Sequence, residues 1–116
     1  MNLIEYAKAG IKVPYNTTDL NREQPLDISW IKSVVAQYFN IEEKYMTVRT
    51  RKREYAYARQ VAMYLLREKY KMRFAEIGEI FSRDHATAIH SHTVISSLIS
   101  VYKDHKEKVE HLYKLI

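Results

Sequence analysis

Residues 74–90 read FAEIGEIFSRDHATAIH. Apolar positions at helical spacing predict a short helix from about Phe74 to Phe81, with Ile77, Ile80 and Phe81 facing inward. Ser82-Arg83 makes a tight break. Asp84 can then cap a longer helix, because a carboxylate there accepts from the free N–H groups of the first turn. The inward set of that helix is Ala88, Ile89, Ile95 and Ile99. A short helix, a tight turn and a longer helix make a helix-turn-helix unit, whose second helix presents its first residues to a DNA major groove.

The chain around this unit reads the same way. Asp27 can cap a helix with apolar positions Ile28, Ile31, Val34, Val35, Tyr38 and Phe39, one stripe of a 3.6-residue repeat. Asn40 is its expected stop. After a loop at 41–50, a second helix starts near Lys52 and repeats Ala58, Val61, Ala62, Leu65 and Leu66 at i, i+3, i+4, i+7, i+8. A last helix from about His105 uses Val109, Leu112, Tyr113 and Ile116. The expected fold is all-α, a helical bundle with a helix-turn-helix. Residues 1–26 form an N-terminal segment of no readable role. Leu3, Ile4, Ala7 and Ile11 suit a short amphipathic turn, and 13–18 reads as a loop because the residue before Pro14 avoids the α region. Residues 27–116 make the domain.

Composition narrows the function classes. The chain has 116 residues, 47% hydrophobic and 28% charged, which suits one domain with its own core. Glycine occurs only at Gly10 and Gly78, so no glycine-rich phosphate loop can be written. Cysteine is absent, which removes disulfides, thiolate metal sites and a cysteine nucleophile. No stretch is long and apolar enough for a membrane span.

Charge is concentrated. Residues 44–73 hold ten basic side chains and two acidic ones, a net of +8, whereas 1–43 and 74–116 carry −2 and −1. Such asymmetry points to a polyanion meeting one face. The opposing view is a solvated helix surface. Arg49-Thr50-Arg51-Lys52-Arg53 lies just before a helix. A basic loop of this kind can enter a narrow A·T-rich minor groove, or it can stay solvated and touch only phosphates. Residue types alone do not separate the two.

At the start of the capped helix stand Arg83, Asp84, His85, Ala86 and Thr87. Short polar side chains suit a helix start lying against base edges, and the free N–H groups there favour phosphate. Asp84 has a plain structural role as N-cap, which leaves room for a contact to a cytosine amino group. His85 and Thr87 have less structural reason to be there. Five histidines do not make a metal site: His90 and His92 point to different faces, and His85 and His92 are two turns apart. Tyr38, Tyr55, Tyr64 and Tyr70 read as half-buried helix residues. No Ser/His/Asp or paired-carboxylate arrangement stands out, so no enzyme, metal or cofactor is expected.

Residues 28–116 resemble the C-terminal DNA-binding domain, domain IV, of the bacterial replication initiator DnaA, of the Trp-repressor-like class. The likeness is carried by Val34-Val35-Ala36-Gln37-Tyr38-Phe39, by Arg51-Lys52-Arg53 and by ARQVAMYL at 58–65. It continues in Glu76-Ile77-Gly78, Phe81 and RDHATAIH at 83–90. It implies binding to a short duplex site, the DnaA box in that family. By position, Arg51 matches the arginine that enters the minor groove. Asp84, His85, Ala86 and Thr87 match the major-groove readers. Arg53, Arg59, Gln60 and Arg67 match phosphate-holding positions, with Phe74, Ala75 and Arg83 also close to the DNA backbone. Two departures stand out. The family has a threonine where this chain has Ala86, and the turn 81–83 is one residue shorter than the family's Gly-Gly turn.

The expectation is a sequence-specific double-stranded DNA-binding protein with a role in replication or transcription control. No counterpart of the initiator's ATPase region is visible, so a stand-alone module is expected, one that does not melt an origin by nucleotide-driven assembly. Its location would be cytoplasmic and nucleoid-associated, without a membrane partner. The initiator or another replication protein is a further candidate partner, and the oligomeric state is not readable. The alternative is a protein-interaction adaptor that reuses the fold, such as a binder or regulator of the host initiator.

Overall fold

The computed structural model describes residues 27–50 and 52–116. The expectations for 1–26 and the minor-groove role of Arg51 lie outside the described residues. Five helices follow in order: α1 (Ile28–Tyr38), α2 (Arg53–Tyr70), α3 (Phe74–Ile80), α4 (His85–Val101) and α5 (Lys103–Leu115), with a 3-10 turn at Glu43–Met46 between the first two. The described residues contain no strand.

Helix α2 is the hub and touches the 3-10 turn and all four other helices. Its stripe of Ala58, Val61, Ala62, Leu65 and Leu66 is fully buried. Ile31, Val34 and Val35 of α1, Ile77, Phe81, Ile95 and Leu112 complete the core. Burying a Leu, Ile or Phe side chain stabilises by about 1.5–3 kcal/mol, so this continuous stripe decides where α2 lies.

The caps explain where the helices begin and end. The Asp27 carboxylate accepts from the Trp30 N–H at 3.0 Å and starts α1. Asn40 ends that helix region in the left-handed conformation (φ 57). The Asn40 N–H then donates to the Gln37 carbonyl at 3.1 Å and the Ile41 N–H to the Ala36 carbonyl at 2.9 Å. Both bonds use carbonyls the helix end leaves open.

The helix-turn-helix forms as its sequence predicts. Ser82 takes the left-handed position (φ 56). Its N–H donates to Glu79 at 3.1 Å, and the Arg83 N–H donates to Gly78 at 2.7 Å. This turn brings Gly78 hard against the start of α4. A Cβ there would lie 2.7 Å from the carbonyl oxygens of Arg83 and Asp84, so the close crossing of α3 and α4 requires glycine.

Three expectations differ from the structure. Ile89 is 43% exposed, and the buried positions of α4 are Ala88, Ser91 and Ile95. Each residue turns a helix by about 100°, so the residue after Ala88 is rotated well away from the core. Tyr113 is likewise 42% exposed. Helix α5 begins at Lys103 instead of His105, because only Tyr102, in an extended conformation, separates it from α4.

Candidate nucleic-acid interface

The first turn of α4 stands in the open. Asp84, His85 and Ala86 are exposed, and Thr87 is half-buried. The Asp84 carboxylate accepts from the Thr87 N–H at 2.8 Å. That bond, then one from the Thr87 hydroxyl, holds the Asp84 carboxyl below the usual carboxylate range. Asp84 is therefore a working N-cap and stays charged near neutral pH. The cap fixes the start of the helix while His85 and Ala86 project from it.

Two arginines hold the basic loop, Arg59 tying it to α2 and Arg83 to the turn before α4. Arg59 reaches out of α2 and is only 7% exposed. Its Nη1 donates to the carbonyls of Tyr45 (3.0 Å) and Val48 (3.3 Å), and its Nη2 to that of Thr50 (3.3 Å). Arg83, between the two helices of the motif, donates through Nη1 to the Thr47 carbonyl at 3.1 Å and through Nη2 to Val48 at 3.3 Å. It also holds the carbonyls of Phe81 and Ser82 at the turn. The planar fork of arginine suits several acceptors at once. Burial, with the neighbouring charge of Arg83 second, lowers the pKa of Arg59. Two positions expected at phosphates thus bind the protein's own loop through both terminal nitrogens.

Arg49, Thr50, Arg59, Arg83 and Thr87 line a groove of 570 Å³ that separates the loop from α4. The loop's foot is closed by Tyr45 and Tyr55, whose rings stack at 4.2 Å and 3°. Lys44 and Lys52 each sit over one of these rings, at 5.1 and 5.6 Å. The Lys52 N–H donates to the Thr50 hydroxyl at 3.3 Å.

The remaining expected contacts run along α2 and into α3. Arg53 is exposed and Gln60 and Arg67 half-buried. They are spaced by sevens, so they drift only about 20° per step round the helix. Arg67 donates to the Met72 carbonyl at 2.9 Å and lies 4.5 Å over the Phe74 ring. Phe74 is half-buried and Ala75 exposed at the first turn of α3. Behind them, His92 Nε2 meets Glu68 at 2.6 Å and its ring stacks on Tyr64 at 5.0 Å, which ties α4 to α2.

Of the expected residues, Asp84, His85, Ala86 and Thr87 stand together at the start of α4, Arg59, Arg83 and Thr87 share one groove with Arg49 and Thr50, and Arg59 and Arg83 act inward. Sequence reading did not find the carbonyls of Tyr45, Thr47, Val48 and Thr50, since backbone acceptors leave no side-chain signal. The clue available was Arg59 itself, a charge flanked by the buried positions Ala58, Val61, Ala62 and Met63. His105 and His111 serve structure, hydrogen-bonded to Tyr57 at 2.6 Å and Tyr38 at 3.4 Å.

The family described as the bacterial DnaA protein helix-turn-helix matches residues 28–95, from α1 through the first three turns of α4. The chain belongs to this family. Relatives agree. The chromosomal replication initiator protein DnaA of Caldanaerobacter subterraneus subsp. tengcongensis is 35% identical over 96 residues, covering 83% of this chain and 22% of that protein. The DnaA proteins of a Thermoanaerobacter species and of Thermoanaerobacter pseudethanolicus are 35% identical over 113 residues, covering 97% of this chain and 25% of theirs. The chain thus spans about a quarter or less of the length of the curated relatives it matches. Membership in this DnaA family supports DNA binding by the helix-turn-helix. Among the described residues, no helix is long and apolar enough to cross a membrane.

Proposed function

We propose that this domain binds double-stranded DNA sequence-specifically, at a site akin to the DnaA box, in control of replication or transcription. The observation that carries the reading is the anchoring of the basic loop by Arg59 of α2 and by Arg83 of the turn that leads into α4. A duplex offers its major groove to a helix and its minor groove to an arm, and one rigid frame positions both elements. In this reading Asp84, His85, Ala86 and Thr87 face base edges, and Arg51 enters the minor groove. Arg53, Gln60, Arg67, Phe74 and Ala75 follow the phosphates. Arg59 and Arg83 set the height of the loop and place positive charge under the same backbone. The protein would then lie on the nucleoid.

Selection of bound duplexes from a random pool, at stated salt, tests this. The expected result is one enriched short motif. Against it, log K falls with log salt at a slope of about −4 to −5, for about five phosphates held. Weak, unselective binding at every salt would overturn the reading and put an adaptor that binds the initiator protein ahead.

A further inference from the structure

Tyr45 and Tyr55 stand at the two ends of the basic loop. Tyr45 belongs to the 3-10 turn Glu43–Met46, and Tyr55 to the first turn of α2. Their rings stack with centroids 4.2 Å apart and planes within 3°. Tyr38, Tyr57, Tyr64 and Tyr70 pack against the core, whereas Tyr45 and Tyr55 pack on each other outside it. The fold on either side is anchored without them, by the fully buried Met46 and Ala58. What the stack adds is a closed base for the chain that runs between the two rings.

That chain is held unevenly. Arg59 and Arg83 fix its incoming half, at the carbonyls of Tyr45, Thr47, Val48 and Thr50. In the outgoing half, the Lys52 N–H donates to the Thr50 hydroxyl at 3.3 Å, and the Lys52 ammonium sits 5.6 Å over the Tyr55 ring. An ammonium over a tyrosine face is attracted by the ring quadrupole. Tyr55 therefore ties down the side of the loop that the arginines do not reach. An arm that must be ordered on binding loses affinity for that ordering, and one already ordered does not.

We propose that Tyr45 and Tyr55 are positioning residues for the arm that carries Arg51. Their stack holds the base of the loop in its binding shape, so that the minor-groove contact needs little further ordering. The inference rests on the DNA-binding reading above and deepens it by naming what presets the arm. Neither ring needs to touch DNA for this.

The probes are the duplexes selected by the parent protein, built with A·T-rich and with G·C-rich flanks. Tyr55→Phe keeps the ring and should bind as the parent does. Tyr55→Leu should lose about three- to tenfold on the A·T-rich flank, since a stack can bias the loop by no more than its own worth. The loss on the G·C-rich flank should be smaller. In an Arg51→Ala background, Tyr55→Leu should cost nothing further, because the contact it positions is gone. Tyr45→Leu removes the same stack from the other side, should give the same pattern, and decides the matter if Tyr55→Leu does not fold. Unchanged binding in the folded leucine variants, or a loss equal on both flanks that persists without Arg51, overturns the proposal and leaves the stack a purely structural contact. A flank-specific loss in Arg51→Ala beside such a result would keep the DNA reading and remove only the positioning role. If the parent binds no duplex above random DNA, both fall together.

Discussion

Arg59 and Arg83 donate to one atom. The carbonyl oxygen of Val48 accepts from Arg59 Nη1 and from Arg83 Nη2, each at 3.3 Å. Two like charges converge there because backbone carbonyl dipoles from 45–50 and 81–82 face them. Together they tie the loop to α2 and to the turn of the motif, and their net charge favours an anion alongside.

This shared acceptor makes the two arginines energetically coupled. Arg59→Met leaves the carbonyls of Tyr45, Val48 and Thr50 short of a partner and should cost about 1–3 kcal/mol in stability. Arg83→Met should cost less, since Arg83 is more exposed. In a double-mutant cycle followed by urea unfolding, the combined loss should depart from the sum by about 0.5 kcal/mol or more. Strict additivity would show that each arginine holds its part of the loop alone.

The proposed minor-groove and phosphate contacts should separate by sequence and by salt. Arg51→Ala should weaken binding most on sites with an A·T-rich flank, where the minor groove is narrow and its potential strongest. Arg67→Ala should weaken all duplexes about equally and flatten the salt slope by about 1. It should also lower stability somewhat, because Arg67 holds the Met72 carbonyl and covers Phe74. Equal losses on both flanks would reduce Arg51 to a phosphate contact, and an unchanged slope would take Arg67 out of the phosphate set.

The turn of the motif carries opposite demands at two nearby positions. Ser82 holds a left-handed conformation that glycine adopts without steric cost. Ser82→Gly should therefore raise stability by up to about 1 kcal/mol. Gly78→Ala should do the reverse and more strongly, since its Cβ would meet backbone oxygens at 2.7 Å that no side-chain movement can clear. Thermal melting checks both. A neutral Gly78→Ala would mean that α3 and α4 can part without loss.

Most of this architecture was legible because its signals are local. Asp27 and Asp84 announce the helix starts they cap, and the Ala58–Leu66 repeat is the buried stripe. Ile89 was misassigned because hydrophobicity was read without its angle; Ala88, not Ile89, lies on the line through Ser91 and Ile95. Arg59 was legible as a cation and not as an inward one. Its partners are main-chain carbonyls brought near by the path of the loop, which depends on tertiary packing. The Tyr45–Tyr55 stack was hidden for the same reason: two rings ten positions apart in the sequence, on different elements, end 4.2 Å apart.

Acid should expose the role of Asp84. Its carboxyl is held below the ordinary range, chiefly by the Thr87 N–H. A depressed carboxylate contributes stability above its unfolded pKa of about 3.9, and that contribution is lost as pH falls through the lower folded value. Asp84→Asn keeps a side-chain oxygen for the cap but cannot titrate. The stability difference between parent and variant should thus favour the parent at pH 7 and shrink below about pH 4. Urea midpoints at pH 7 and pH 3 give this difference, in which the other carboxylates cancel. A difference that does not change with pH would mean that the charge of Asp84 does not support the cap.

The first turn of α4 should determine specificity with little effect on folding. His85 and Ala86 are exposed beyond the Asp84 cap and lie away from Ala88, Ser91 and Ile95. If His85 makes a good base contact, His85→Ala should cost about 1–3 kcal/mol on the preferred site, and much less on random DNA. Ala86→Thr adds a hydroxyl that can donate or accept at a base edge. It restores the residue usual in the DnaA family and should move preference toward that family's box. Thermal stability of both should stay within about 0.5 kcal/mol of the parent, as surface changes do. The two measurements together decide the matter. Variants that melt like the parent but change their selected duplex place the reader on this helix. Variants that melt like the parent and bind every duplex as the parent does would take recognition away from α4 and put the adaptor that binds the initiator protein ahead.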